Sequence, residues 1–306
     1  MSDKEITVAG HKVRLSNTDK VLFPDDGITK GDLVGYYRDV ASAMVPYLRD
    51  RPLAMARHPD GIDGERIFQK NVPDYFPDWV KRVKVPKQNG EVLHAVCDDA
   101  ATLVYLANQA CVEPHVFLSR IDRLDDPDQM VFDLDPPGPS RFADARRAAL
   151  WLRRMLEEEL ELTTYVRTTG GKGLHVYVPL DRRAGFDDVR EVARQIAELL
   201  AEAHPEELTT EQRKDNRGDR LFLDTMRDAY AQTVVAPYSV RARPGAHVST
   251  PLHWEEVEDP DLTPGRFTMS SVLERLADVD DPWSGFGRHR YGLGPMRQRL
   301  TEAAGR

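Results

Sequence analysis

Asp133 and Asp135 stand two residues apart in MVFDLDPP, residues 130–137. The stretch is short, apolar or β-branched, and stopped by two prolines that cannot continue a sheet, so it reads as a strand. Side chains alternate faces along a strand, which puts both carboxylates and Val131 on one side and Phe132 and Leu134 on the core side. Two carboxylates about 7 Å apart on one face repel each other unless a cation lies between them, and hard oxygen ligands suit Mg²⁺ or Mn²⁺. Equally, Asp and Pro are common turn residues, and the pair fits a decorated turn ahead of a loop. A third carboxylate, Asp224, ends the apolar run RLFLD at 220–224. If that run lies beside the first, three carboxylates converge, which is what a two-metal site needs.

TTGGKGLHV, residues 168–176, is the second stretch with chemistry in it. Its three glycines permit a tight turn and a close approach of backbone N–H groups to an anion. Lys172 adds a point charge for phosphate. The GxxxxGK[ST] spacing of a P-loop is absent, and a strand follows rather than a helix. His175 on that strand can donate to a phosphate oxygen or orient a ligand; a histidine satisfied in the core is the ordinary alternative. Arg217, Arg227, Arg241 and Arg243 suit bidentate phosphate contact, or serve solubility alone. Upstream, KRVKVPK at 81–87 holds four basic residues in seven. Phe68, Lys70, Tyr75, Phe76, Trp79, Lys81 and Arg82 interleave aromatics with bases there. The pattern suits base stacking with phosphate contact, or a solvated strand edge.

The elements that must position these groups alternate along the chain. Residues 5–15 read as a hairpin turning at Ala9-Gly10, followed by a polar loop over 16–24. Helical spacing of Leu33, Tyr36, Tyr37, Val40, Met44, Val45 and Leu48 predicts a helix over 30–48, capped by Thr29. A buried helix with an Asp cap is expected over 98–111 and a strand over 114–118. A long amphipathic helix over 142–162 follows the aspartate strand. Then come strands over 162–167 and 174–178, a helix over 186–203, strands over 221–224 and 233–237, and a mixed tail beyond 251.

Composition narrows the classes. The chain has 306 residues, with 41% apolar and 30% charged residues, which describes an ordinary globular protein of one large or two medium domains. No run is long and apolar enough to span a bilayer, and MSDKEITVAG has no apolar signal core. Two cysteines, Cys97 and Cys111, give no disulfide framework or Cys-rich zinc site, so a cytosolic location is expected. The net charge of −9 does not advertise nucleic-acid binding. A locally positive groove in an acidic protein remains compatible with it.

VFDLDPP, TGGKGLHVYVPL and RLFLD, followed by VVAPYSVRARPGAHVSTPLHW, occur in that order. With SNTDKVLFP, DGIDGERIFQKNVP and EPHVFLSR, they make the chain similar to the polymerase domain of the bacterial ligase D of non-homologous end joining, a branch of the archaeo-eukaryotic primase superfamily. The resemblance spans roughly residues 5–290 and rests on several motifs in register.

That resemblance implies an α+β fold: a mixed α/β primase-polymerase core with mixed and antiparallel sheets flanked by helices. It implies one domain over 1–306, with a 5′-phosphate-binding hairpin and helix in 1–50, the catalytic core in 51–290 and a tail in 291–306. Asp133, Asp135 and Asp224 match the metal-binding carboxylates, for two Mg²⁺ or Mn²⁺ ions. His115, Thr169, Gly170, Lys172, His175, Arg217 and Arg241 match positions around the incoming nucleotide. Lys20 and Lys30 match lysines that grip a 5′-phosphate, and Phe68 an aromatic that stacks on the template. Arg57 stands beside the position of a further basic DNA contact, occupied here by Ala56. Where the family often has a second aromatic, this chain has Ile67.

The implied enzyme is a primase-type nucleotidyltransferase that fills gaps and extends ends at DNA breaks, using NTPs or dNTPs with a preference for ribonucleotides. Its implied partners are DNA with gaps, overhangs or breaks bearing a 5′-phosphate, an end-binding protein and a separate ATP-dependent ligase. The implied location is the cytoplasm, at the bacterial nucleoid. Neither a nucleotidyl-lysine ligase motif nor an HxH phosphoesterase segment is present, so a stand-alone polymerase of this family or an excised domain is expected, with the stand-alone form favoured. Two other readings fit parts of the pattern: a catalytically silent module that bridges DNA ends, and a DxD nucleotide-sugar transferase.

Overall fold

A computed structural model describes residues 4–304, so the two ends of the expected domain, 1–3 and 305–306, lie outside the described residues. By internal contacts the chain forms two compact units. The first takes the residues up to Phe117 together with Thr233–Ser249 and Phe267–Val279; the second takes Leu118–Gln232, Thr250–Arg266 and the remainder from Asp280.

The first unit is built on an antiparallel sheet in the order Thr233–Val235, Cys111–Phe117, Pro52–Arg57, Gly90–Val96, Arg82–Lys87, with Ile67–Gln69 also paired to Pro52–Arg57. The expected hairpin is present as Lys4–Val8 and His11–Leu15. Its turn puts Ala9 at φ 45° and Gly10 at φ 81°, the left-handed region that tight hairpin turns require. The loop expected over 16–24 contains a short strand, Val21–Phe23, paired with Ile28–Thr29. Thr29 caps the next helix through a reciprocal box: Asp32 N–H donates to Thr29 Oγ1 (3.1 Å) and Thr29 N–H to Asp32 Oδ2 (2.8 Å). The single helix expected over 30–48 is two helices, Lys30–Asp39 and Ala41–Leu48, broken at Val40, where ψ is −6°. The apolar spacing runs across the break because Leu33, Tyr36, Tyr37, Val40, Met44, Val45 and Leu48 are all buried. Helix Ala100–Asn108 is capped by Asp99 and buried from Ala101 to its end, as its apolar sequence predicts.

The second unit's sheet runs Leu208–Thr209, Leu221–Asp224, Gln129–Asp135, Leu174–Pro179, Tyr165–Thr168, Pro251–Leu252. All neighbours are antiparallel except the first pair. Helices Phe142–Arg154 and Phe186–Ala203 pack on its central strand. The first passes into a π-helical turn, Met155–Glu159, closed by Leu160 N–H on Met155 O (3.1 Å). Met130, Phe132 and Leu134 are fully buried, as the strand alternation requires. The fold is α+β with antiparallel and mixed sheets. Among the described residues no helix is long and apolar enough to cross a membrane.

Candidate active site

The three carboxylates come together through strand register. Leu221–Asp224 pairs with Gln129–Asp135 so that Asp224 stands directly opposite Asp133, and Phe222 opposite Asp135. On its other side Asp133 is opposite His175, and His175 is opposite Arg167. Directly opposed residues share a face. Four strands therefore contribute one row, Asp224, Asp133, His175 and Arg167, with Asp135 one step along on the same face.

Arg167 anchors the row from below. It is wholly buried and donates to Tyr177 Oη through Nη2 (2.6 Å) and Nε (3.2 Å), and to His175 Nδ1 through Nη2 (2.9 Å). A guanidinium has no acceptor, so Nδ1 must accept and the imidazole proton sits on Nε2, 3.4 Å from Asp133 Oδ1. Burial pushes His175 down, and Arg167 adds to this against the pull of Asp133. The ring is neutral. Burial would raise Asp133, but His175, Arg227 and Arg167 together hold it below its usual value. With a neutral ring, the His175 contribution is hydrogen bonding from Nε2–H rather than ion pairing.

Asp224 moves the other way. Burial lifts its pKa, and Asp133 and Asp135 lift it further, against a hydrogen bond from Met226 N–H (2.7 Å). That crowding of like charge is what a bound cation would relieve. Asp228 is a residue sequence reasoning missed. Its side chain is fully buried, Oδ1 accepts from Val131 N–H (3.0 Å), Oδ2 has no partner, and burial pushes the carboxyl well above its usual pKa. Lying in an irregular segment, it offered no periodic signal.

The glycine loop closes on Thr169. Its hydroxyl donates to Gly173 O (3.1 Å) and accepts from Gly171 N–H (3.0 Å) and Gly173 N–H (3.3 Å). Gly170 takes φ 62°. Gly173 is tight for another reason: a Cβ there would lie 2.0 Å from Leu134 O, between the two aspartates. Lys172 Nζ reaches across to Pro136 O (2.7 Å) and Asp135 Oδ1 (3.0 Å). Arg217 sits over Phe222, Cζ 3.7 Å from the ring centre, with Nη1 3.9 Å from Asp135 Oδ2. Asp133, Asp135, Asp224, Lys172, His175 and Arg217 are thus gathered on one sheet. Among the described residues no three His, Cys, Asp or Glu side chains are drawn tightly enough to hold a metal ion as they stand. The hard oxygen donors and the crowding at Asp224 nevertheless suit a divalent cation.

The remaining expected site residues belong to the first unit. His115 and Arg241 meet over Glu113, which is buried and accepts from Arg241 Nε (2.8 Å) and Ala242 N–H (2.9 Å). Burial would raise Glu113, but His115, Arg241 and the Ala242 N–H hold it well below the usual carboxylate range. Glu113 went unnoticed in the sequence, although its position two residues before His115 on a strand puts both on one face. Phe68 is exposed, with its ring edge-on to His115 and Arg66 over its face. Arg57 donates to Gln109 O (2.8 Å), Gln69 Oε1 (2.7 Å) and Tyr75 Oη (3.2 Å). Lys20 is exposed and paired with Asp60 (2.7 Å). Lys30 is buried, with Nζ on Asn108 O (3.1 Å) and Ser16 Oγ (3.5 Å).

The basic run at 81–87 is an edge strand whose charges are largely matched. Lys81 bridges Asp50 (2.7 Å) and Asp98 (2.6 Å), Lys84 pairs with Glu91 (3.0 Å), and Arg82 donates to Phe76 O (2.6 Å). Of the interleaved aromatics, Phe76 is buried and Trp79 stacks on His11, so only Phe68 and Tyr75 are exposed.

A sheet that sets three carboxylates in register beside a Gly-Lys-Gly loop has the organisation of a primase-type nucleotidyltransferase. Residues 29–283 match the family model described as LigD, primase-polymerase domain, and the chain belongs to that family, which is metal-dependent in general. The chain is 36% identical over 279 residues to the bifunctional non-homologous end joining protein LigD of Bacillus subtilis, covering 91% of this chain and 44% of that protein. To the multifunctional LigD of Mycolicibacterium smegmatis it is 35% identical over 275 residues, covering 88% and 35%. The chain therefore spans less than half the length of these relatives. Among solved structures, the polymerase domain from Mycobacterium tuberculosis ligase D in complex with DNA superposes with a TM-score of 0.84 at 31% identity, covering 91% of this chain and 99% of that one.

Proposed function

We propose that this chain fills gaps and extends ends at DNA double-strand breaks by two-metal nucleotidyl transfer, as part of non-homologous end joining. The observation that carries the reading is the register of Asp224 opposite Asp133, which completes the carboxylate set. Asp133, Asp135 and Asp224 would hold two Mg²⁺ or Mn²⁺ ions. When bound, such ions supply activation of the primer 3′-hydroxyl and neutralise charge on the leaving pyrophosphate.

The chain's own residues do the rest. His175 donates to Asp133 and fixes its orientation; Arg167 holds His175. Lys172 and Arg217 offer cations for the triphosphate, and the Thr169–Gly170 turn shapes the loop around it. His115 and Arg241, from the first unit, carry the same nucleotide assignment from the motif match alone. Lys20, Lys30, Arg57 and Phe68 are assigned to DNA, with Lys20 and Lys30 on a 5′-phosphate and Phe68 stacking on a template base. Residues 1–306 would work as one primase-polymerase domain, with 1–50 serving the 5′-phosphate and 51–290 the chemistry. Ribonucleotide preference, an end-binding partner, a separate ATP-dependent ligase and a nucleoid-associated cytoplasmic setting complete the proposal.

The test is extension of a gapped duplex bearing a 5′-phosphate, with Mn²⁺ and NTPs, by the wild type and by Asp133→Ala/Asp135→Ala. Extension by the wild type alone is expected. No extension by either, with gap binding retained, would turn the reading towards a DNA-bridging module.

A further inference from the structure

We infer that Glu113 is the positioning residue that sets the nucleotide-contacting geometry of His115 and Arg241 together. The inference rests on the proposed nucleotide role of those two residues.

Glu113 and His115 alternate onto one face of strand Cys111–Phe117. The Glu113 side chain is only 6% exposed, and both of its oxygens are engaged. Oε1 accepts from Arg241 Nε (2.8 Å) and from the backbone N–H of Ala242 (2.9 Å). Oε2 faces His115 Nε2 and Arg66 Nη2, each at 3.4 Å. The donors come from three separate stretches of chain, around residues 66, 115 and 241. This carboxylate gathers both residues assigned to the nucleotide and the cation that covers Phe68.

The chemistry follows from the donor count. An ionised carboxylate only accepts, so His115 must turn an Nε2–H towards it, and its Nδ1, which has no partner among the described residues, faces away from Glu113. The Arg241 guanidinium is pinned through Nε and its backbone through the next N–H. An arginine free in solution surrenders rotamer entropy on binding phosphate; one already held surrenders less. Glu113 thus prepares a donor and a cation before the nucleotide arrives, without touching it.

The experiment is steady-state extension on a 5′-phosphorylated gapped duplex by Glu113→Gln, His115→Ala, Arg241→Ala and Glu113→Gln/Arg241→Ala, with duplex Kd and Tm measured in parallel. Glu113→Gln keeps the shape and one acceptor but loses the charge. It should raise the nucleotide KM roughly tenfold or more, since small misplacement of binding groups carries penalties of that order. The values of kcat and duplex Kd should stay near wild type, while Tm falls, because removing one partner of a buried ion pair is destabilising. The double variant should bind nucleotide no worse than Arg241→Ala, because one residue acts through the other. An unchanged KM in Glu113→Gln overturns the inference, as does a parallel loss of kcat and duplex affinity. If His115→Ala and Arg241→Ala both leave KM unaltered, the nucleotide role itself falls and takes the inference with it. Independently of any variant, nitrogen-15 spectra of the wild type should show His115 as the Nε2–H tautomer; Nδ1–H would refute the assignment.

Discussion

Replacing Gly173 by alanine is the sharpest probe of the site's construction. The added Cβ would lie 2.0 Å from Leu134 O, 3.2 Å from Leu134 C and 3.3 Å from Pro136 Cδ. Carbon does not approach a carbonyl oxygen closer than about 3 Å, the lower edge of van der Waals contact, so something must retreat by about 1 Å. The obstacle is backbone lying between Asp133 and Asp135, with no flexible side-chain end to swing aside. Overpacking of this kind costs about 1–3 kcal/mol and sometimes more; the rigidity here argues for the upper end, about 3 kcal/mol. At 2–4 °C per kcal/mol for a chain of this size, Tm should fall by about 6–12 °C. Because the retreat displaces Lys172 or the aspartates by about 1 Å, extension should also fall by about 100-fold. Differential scanning fluorimetry and the gapped-duplex assay read the two effects. A variant that melts within about 1 °C of wild type and extends at the wild-type rate would refute the close packing of loop and strand on which the site depends.

Asp228→Asn should separate a buried neutral acid from an ion pair. The folded-state pKa of Asp228 lies well above its ordinary value of 3.8, so its favourable contribution is full below 3.8 and is lost as pH rises through the folded-state value. Asparagine cannot titrate, so the variant's stability relative to wild type should grow as pH rises above 3.8; a difference independent of pH in urea unfolding would sink this. Lys20→Ala should weaken binding to 5′-phosphorylated gaps and lower the salt slope by about one, with Tm unchanged because the exposed Asp60 pair contributes little. Lys30→Ala should lower Tm as well, since it strips donors from Asn108 O and Ser16 Oγ; equal Tm effects of the two would contradict the burial difference. Phe68→Ala should weaken binding to a gapped template by about 1–3 kcal/mol if the ring stacks on a base, and unchanged Kd by fluorescence anisotropy would remove it from the interface.

Local rules made much of this legible. Period-two alternation put Asp133 and Asp135 on one face and Leu134 in the core. Amphipathic spacing placed helix Phe186–Ala203 at its observed bounds, and Thr29 caps the first helix as the sequence reading expected. What stayed hidden was non-local. Nothing in RLFLD states which strand it will join, so the pairing of Asp224 with Asp133 across some ninety residues was conditional until the register was known. The break at Val40 leaves no mark because both helices bury the same stripe. Lys30 follows an N-cap, where a lysine ordinarily points to solvent, and only the folding of Asn108 beside it shows the burial. Glu113 had a readable signal, the shared face with His115, but its other partner, Arg241, comes from a distant segment.

The interrupted course of the first unit bears on how the chain is made. Its sheet ends on Thr233–Val235, and Glu113 receives Arg241 only from that later stretch. A ribosome that has released residues up to Phe117 has therefore produced a sheet with a bare edge and an acidic side chain that faces Arg66 but still lacks Arg241. At ordinary elongation rates the missing pieces follow roughly ten seconds later. During that interval the nascent polypeptide presents a strand edge open to mispairing, and shielding by a chaperone has its greatest value there, before the enzyme exists as such.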